Sequence, residues 1–242
     1  MPNFEEMKKE YRFELHYHTK ETSPCADLPA ADGIRQYHIE GYDGVLVTDH
    51  FTACVEGEKE KTTWQEATDR FLKGFHVAEK AGKDCGVAVF LGAEIRFPEN
   101  VNDYLVIGLT EELVREHEWL YEMSLPEFYE FAGQNGLLLF QAHPFRTACG
   151  VTPADPNYLD GVEIWNGHVG HDSHNNLAAA FAKENNLIPI VGSDCHYFHA
   201  VGTTAVIFEQ MPKTTQDIAA LLKQGAYRLE TERKKGRQHS NE

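Results

Sequence analysis

Short apolar runs rich in β-branched and aromatic residues recur along the chain, and each is closed by Gly, Asp, Asn or Pro before helical spacing takes over. These runs predict strands over residues 11–18, 44–48, 87–97, 103–109, 137–142, 161–165, 188–192 and 204–208. The 3.6-residue pattern between them predicts helices over 30–40, 64–81, 111–122, 126–135, 175–186 and 214–224. Pro126 stands where a first-turn proline is tolerated, and Gly136 follows Asn135 as a stop. Strand and helix alternate with no internal linker or repeat. That order predicts one α/β domain over residues 1–230, closed into a barrel rather than opened as a doubly wound sheet. Residues 231–242 are polar, carry Arg233, Lys234, Lys235 and Arg237, and read as a frayed tail.

Composition narrows the function. With 242 residues, 42% of them hydrophobic, the chain can bury a substantial core. Its 38 acidic and 22 basic side chains leave a formal net charge of -16, the opposite of the footprint left by phosphate-backbone binding. An extended nucleic-acid surface and an anionic-membrane surface are therefore not expected. An anionic substrate would have to meet local positive charge, which metal ions can supply. The five cysteines (Cys25, Cys54, Cys85, Cys149 and Cys195) are scattered, with no Cys-x-x-Cys spacing, which argues for reduced thiols. The first ten residues lack an apolar targeting segment and no run reaches the roughly 18 apolar residues of a span, so the reading is a cytoplasmic protein.

Histidine is where the chemistry lies. His16 and His18 are two apart on a predicted strand, so their imidazoles can converge on one ion. The run 45–47 ends in Thr48-Asp49-His50, Glu94 interrupts an apolar strand, 139–142 ends in His143-Pro144, and 189–193 ends in Asp194-Cys195-His196. Each cluster alone has an ordinary explanation, such as a helix cap at Thr48-Asp49, a salt bridge for Glu94 or a buried hydrogen-bonded histidine. Together they place His, Asp or Glu at the C-terminal ends of at least five strands, where parallel-strand barrels gather reactive groups.

His16-x-His18, Thr48-Asp49-His50, Gly92-x-Glu94, His143-Pro144 and Gly192-Ser193-Asp194-x-His196, in this order, resemble the polymerase-and-histidinol-phosphatase (PHP) superfamily of metal-dependent phosphoesterases. The resemblance implies a distorted (β/α)7 TIM-like barrel whose mouth holds two or three divalent ions, Zn, Mn or Fe. It implies that His16, His18, Glu94 and Asp194 hold one ion, that Glu94 bridges to a second held with His143, and that His50 and His196 hold a third. Two family positions are replaced here. Cys25, with Asp27 in reserve, stands for the further ligand of the third ion, and Asp103 for that of the second.

Substrate contacts are expected from Arg96, Arg146 and Lys20, which can grip phosphate, and from Asn166 at a strand end. His168 and His171 lie in a loop broken by Gly167 and Gly170, where either could protonate a leaving oxygen. The reaction implied is hydrolysis of a phosphate monoester of a small metabolite by a hydroxide held between two ions, with Glu94, Asp194, His196, Arg146 and His168 in catalytic roles. The resemblance to histidinol-phosphate phosphatases leaves the phosphorylated substrate open. Alternatives are a phosphodiesterase or nuclease of the same family, an amidohydrolase-like metal hydrolase, and a catalytically silent metal-binding scaffold. Cys195, between Asp194 and His196, is expected to point away from the ligand face.

Overall fold

The computed structural model describes residues 10–52, 61–147 and 150–231. Ten strands form two five-stranded mixed sheets. The first has the order β10-β9-β1-β2-β3, with β1 Tyr11–Tyr17, β2 Gly44–Val47, β3 Ala88–Leu91, β9 Ala205–Phe208 and β10 Tyr227–Glu230. The second has the order β4-β5-β6-β7-β8, with β4 Ala93–Ile95, β5 Tyr104–Ile107, β6 Leu138–Gln141, β7 Gly161–Asn166 and β8 Ile188–Gly192. The described α-helices are α1 Ala30–Ile39, α2 Trp64–Cys85, α3 Glu111–Glu116, α4 Leu125–Gln134, α5 Asn175–Asn185 and α6 Thr215–Gln224.

This corrects the expected (β/α)7 barrel. Strands β1, β2 and β3 pair in parallel, but β9 and β10 run antiparallel on one edge, and β5 is antiparallel to both β4 and β6. Among the described residues no continuous ladder closes the sheets; they meet at two isolated bridges, Tyr17 with Cys195 and His50 with Glu94. The run 87–97, read as one strand, is two. The chain leaves the first sheet after Leu91 and enters the second at Ala93, turning at Gly92, where a Cβ would approach a Leu46 side-chain carbon and the Val106 carbonyl to 3.0 Å. Apolar patterning specifies which residues are buried, but not which sheet each strand joins.

The two sheets share a core. Phe13, Leu15, Leu46, Phe90 and Val206 from the first pack with Leu105, Leu138, Phe140 and Ile190 from the second. A fully buried Leu or Phe contributes about 1.5–3 kcal/mol relative to exposure, so this layer holds the sheets together without a closing ladder. The helices start where local chemistry dictates: Thr63 with Glu66, Ser124 with Glu127 and Thr214 with Asp217 each form a capping box. Helix α2 runs past its expected end to Cys85, stopped by Gly86 in the left-handed region at φ 83°. The expected helix 111–122 breaks after Glu116 and resumes as a 3-10 turn, Leu120–Glu122, behind Trp119 at φ 55°. Strand β10 has no counterpart among the sequence expectations. Apart from Thr231, the expected polar tail lies outside the described residues, as do His239, Cys54 and Cys149.

Candidate metal centre

The pairing of β1 with β2 shifts register between Glu14 and Tyr17. The backbone N–H groups of Leu15 and His16 donate to Glu14 Oε1 at 3.0 and 2.9 Å. A buried carboxylate thus takes donors that an unbroken ladder would have paired, and the irregularity re-aims the side chains that follow. His16 and His18 converge as expected, with Nε2 atoms 3.1 Å apart.

Partners behind the rings set their tautomers. His16 Nδ1 lies 2.8 Å from Glu163 Oε1, a carboxylate that can only accept, so the ring proton sits on Nδ1. His18 Nδ1 lies 3.2 Å from Ser23 Oγ, whose own hydroxyl donates to Asp49 Oδ1 at 2.7 Å. Both Nε2 lone pairs therefore face the same point. Two carboxylates face it as well: Glu94 oxygens lie 3.5 Å from His16 Nε2 and 3.3 Å from His18 Nε2, and Asp194 Oδ1 lies 3.5 and 3.4 Å from them.

These acceptors repel one another unless a cation or a proton lies among them. Ligand atoms around a tetrahedral ion with bonds of about 2.0–2.1 Å are separated by about 3.3 Å, in line with the spacings above. Glu94 Oε1 is buried without a hydrogen-bond partner, as is His143 Nδ1. Burial alone would raise the Glu94 carboxyl, yet His50 and His16 hold it well below the usual carboxylate range. Asp194 is likewise held low against its burial by His16, His18 and His196. Burial opposes charge on His16, while Glu163, Asp194 and Glu94 push its pKa well above the ordinary imidazole value. His18 goes the other way, lowered by burial and by His50 and His196. The donor set fits a divalent ion.

Glu94 faces two ways. Oε1 lies 3.3 Å from His143 Nε2, and Oε2 lies 3.0 Å from His50 Nδ1. His18, His50 and His196 form a second convergent group, and His50, Glu94 and Asp103 a third. Cys25 Sγ lies 3.1 Å from His196 Nε2. Against the effect of burial, hydrogen bonds from His196 and His50 bring the Cys25 thiol down to about 6. His196 rises to about 10, since Asp194 and Cys25 outweigh its burial. Asp103 is differently engaged: Arg96 Nε and Nη2 donate to its two oxygens, each at 2.9 Å. A ligand role for Asp103 would have to share those oxygens with the guanidinium.

His143 and Asp194 both adopt the left-handed region, at φ 31° and 48°. That conformation is uncommon for residues with a side chain and enriched for His and Asp at functional sites. Arg146 Nη2 donates to Asp194 Oδ2, while its Nε is buried with no hydrogen-bond partner. Asn166 Nδ2 donates to Glu163 Oε2 at 2.9 Å and to Asp194 Oδ2 at 3.2 Å. His168 Nδ1 accepts the Gly170 N–H at 3.0 Å, so its proton sits on Nε2, and its ring stacks on His171 with centroids 4.8 Å apart. Burial and neighbouring cations lower His168 to about 4, which makes it a neutral donor rather than the charged acid that leaving-group protonation favours. Cys25, His50, Glu94, Arg96, Asp103, His143, Arg146, His168, His171, Asp194, His196 and Tyr197 line a cleft of about 270 Å³. Lys20 is exposed and is not part of that lining. Cys195 is buried, and burial pushes its thiol far up, in keeping with an inert role.

Three acids behind the ligands were not legible as such: Glu163, Asp49 and Glu14. Each lies beside a cluster in sequence, but its contact is made across the fold. Gly192 is part of the same arrangement, because a Cβ there would come within 2.4 Å of both Glu163 Oε1 and His16 Cβ.

Residues 172–227 match the family model described as PHP-associated. No curated protein matches the sequence. Among solved structures, PsfC from Pseudomonas syringae PB-5123 is 21% identical with a TM-score of 0.62, covering 88% of both chains. A two-domain protein from Bacteroides vulgatus ATCC 8482 that contains a predicted PHP-like metal-dependent phosphoesterase is 16% identical with a TM-score of 0.67. The match covers 93% of this chain and 65% of that one. The fold is PHP-like. An amidohydrolase from Chromobacterium violaceum shares it at 14% identity and a TM-score of 0.52, over 87% of this chain and 96% of that one. The PHP resemblance read from the motifs thus holds for the fold over most of the chain and for the sequence over 172–227, while the PHP-like architecture is realised here as two facing sheets.

Proposed function

We propose that this protein is a metal-dependent hydrolase that cleaves phosphate monoesters of a small metabolite in a cytoplasmic setting. One observation carries the reading: the Nε2 atoms of His16 and His18 lie 3.1 Å apart, Asp194 Oδ1 lies 3.4–3.5 Å from both, and a Glu94 oxygen lies 3.3–3.5 Å from each, with Glu94 and Asp194 lining a cleft that arginines border. His16, His18, Glu94 and Asp194 would hold one divalent ion, Glu94 and His143 a second, and His50, His196 and Cys25 a third. Divalent ions in such a donor set supply Lewis-acid stabilisation of a phosphoryl oxygen and lower the pKa of water. Zinc, manganese and iron all suit imidazole with carboxylate, and a thiolate at Cys25 would favour zinc or iron.

The side chains around this floor have separate tasks. Arg146, already anchored on Asp194, presents its guanidinium to a phosphate oxygen in the cleft it lines. Arg96 is held in place by Asp103 and presents a second cation at the rim. His168 donates from Nε2 as a neutral group, and His171, stacked on it, keeps that ring in register. Asn166 holds Glu163 and Asp194, so it supports the site rather than gripping substrate. The PHP-like neighbour described as a metal-dependent phosphoesterase supports the phosphate reading, and the neighbour described as an amidohydrolase supplies the rival.

Elemental analysis of the purified protein and a panel of substrates test the proposal. At least one transition-metal ion per chain is expected, with inorganic phosphate released from phosphomonoesters in a metal-dependent manner. Glu94→Gln should cut that rate by about a hundredfold or more while the protein stays folded. Release of acid or ammonia from lactones and amides, without phosphate release, would replace this reading with the amidohydrolase one. Cleavage confined to diesters would make it a phosphodiesterase, and less than one ion per chain a scaffold.

A further inference from the structure

The molecule has a second concavity that the reaction above does not use. Leu28, Pro29, Gln36, Ile39, Tyr197 and Phe198 line a groove of about 510 Å³, with Asp27, Asp32 and Arg35 on its rim. Ile39 is 72% exposed, Phe198 58% and Tyr197 38%, so three of the described chain's six exposed large hydrophobic residues gather there. Leaving such side chains in water is unfavourable, and their concentration at one place marks a binding surface.

The groove is joined to the metal centre. Tyr197 lines both the groove and the catalytic cleft. The backbone N–H groups of Asp27 and Leu28, on the groove side, donate to the carbonyl of His196, a candidate ligand, at 3.0 and 3.2 Å. The segment from Cys25 to Leu28 therefore leads from the cleft into the groove. A volume of this size lies in the range of about 300–1,000 Å³ that small-molecule sites occupy.

We infer that this groove is the subsite for the alcohol portion of the substrate, and that the preferred phosphate esters carry a bulky apolar or aromatic group that packs on Tyr197, Phe198 and Ile39 while the phosphate lies in the cleft. This rests on the phosphoesterase reading for its reaction, but the groove itself can be probed without turnover. A planar group over Tyr197 and Phe198 gains both area burial and ring contacts. Arg35 pairs with Asp32 at 2.9 Å, so Asp27 is the charge that disfavours a second negative group at that end, and the chemistry selects an ester with one phosphate and an uncharged or cationic remainder.

The test compares 2-(1-naphthyl)ethyl phosphate with ethyl phosphate, two esters of primary alcohols, in the metal-loaded protein and in Phe198→Ser and Ile39→Ser variants. The native protein should prefer the naphthyl ester, and each substitution should lower the ratio of kcat/KM values about tenfold, chiefly through KM. Phe198→Leu should retain part of the preference. Binding of the non-hydrolysable 2-(1-naphthyl)ethylphosphonate, followed by its fluorescence, should weaken by a similar factor in the serine variants. If neither ester is hydrolysed but the phosphonate binds and weakens in this way, the reaction assignment fails and the subsite stands. If both esters are hydrolysed with equal efficiency, or the substitutions leave ratio and binding unchanged, the subsite is refuted and the hydrolase stands. A native dimer that Phe198→Ser dissociates in sedimentation would also refute it, by making the groove an interface between copies.

Discussion

Glu14 and Ser193, 179 positions apart, meet through two hydrogen bonds: the Ser193 N–H donates to Glu14 Oε1 at 3.0 Å and its hydroxyl to Oε2 at 2.6 Å. Tyr37 also donates to Oε2, at 3.2 Å. This carboxylate ties the strand bearing His16 and His18 to the segment bearing Asp194 and His196. Its burial raises its pKa, against the opposing effect of these bonds.

Replacing that carboxylate tests how much it holds. Glu14→Ala leaves the N–H groups of Leu15, His16 and Ser193 without their acceptor in a buried setting, at about 1–3 kcal/mol for each unmet group. Unfolding in urea should show a loss of at least about 3 kcal/mol. A loss below about 1 kcal/mol would mean that water or a neighbour substitutes for Glu14.

Glu163 acts on the same site from the other sheet. It accepts from His16 Nδ1, from the His143 N–H at 3.0 Å and from Asn166 Nδ2. Glu163→Gln preserves shape but removes the charge that fixes the His16 tautomer. Metal affinity, measured by titration with zinc or manganese, should fall about 10–100-fold. Unchanged affinity would show that His16 is oriented by packing alone.

Metal should also stabilise the fold, because the groups it would join come from both sheets. Dialysis against a chelator should lower Tm, and readdition of metal should restore it. At a free concentration 100 times the Kd, a single site contributes about 2.7 kcal/mol. Glu94→Gln should shrink the response, and a Tm indifferent to chelator and metal would argue against any ion at this centre.

A pH effect is expected away from the site. The N–H groups of Lys213 and Thr214 donate to Asp217 Oδ2 at 2.9 and 3.0 Å and hold its carboxyl below the usual carboxylate range. A depressed folded pKa means stability that is present above the unfolded value of about 3.9 and is lost as pH falls through the folded value. In urea unfolding, the native protein should therefore exceed Asp217→Asn at neutral pH, with the gap closing on acidification. A gap independent of pH would assign the cap's contribution to shape rather than charge.

Much of this was legible along the chain. Eight apolar runs located nine of the ten strands, the run at 87–97 fusing two across Gly92, and the first-turn proline at Pro126 with the stop at Gly136 marked the helix between them. The spacing of His16 and His18, and the charged residues ending apolar runs, identified the groups that converge, because alternation along a strand and the polarity of strand ends are local properties. Local chemistry also set which residues are buried and which ends are capped.

Tertiary structure decided the rest. Strand direction and sheet membership depend on which edges find partners, so two facing sheets replaced the closed barrel. The pairing of Arg96 with Asp103, the proximity of Cys25 to His196, and the support of His16 by Glu163 each join segments whose approach no local pattern specifies. A buried carboxylate is stabilised only by the donors or cations that the fold brings to it, and those are set by contacts across the chain rather than along it.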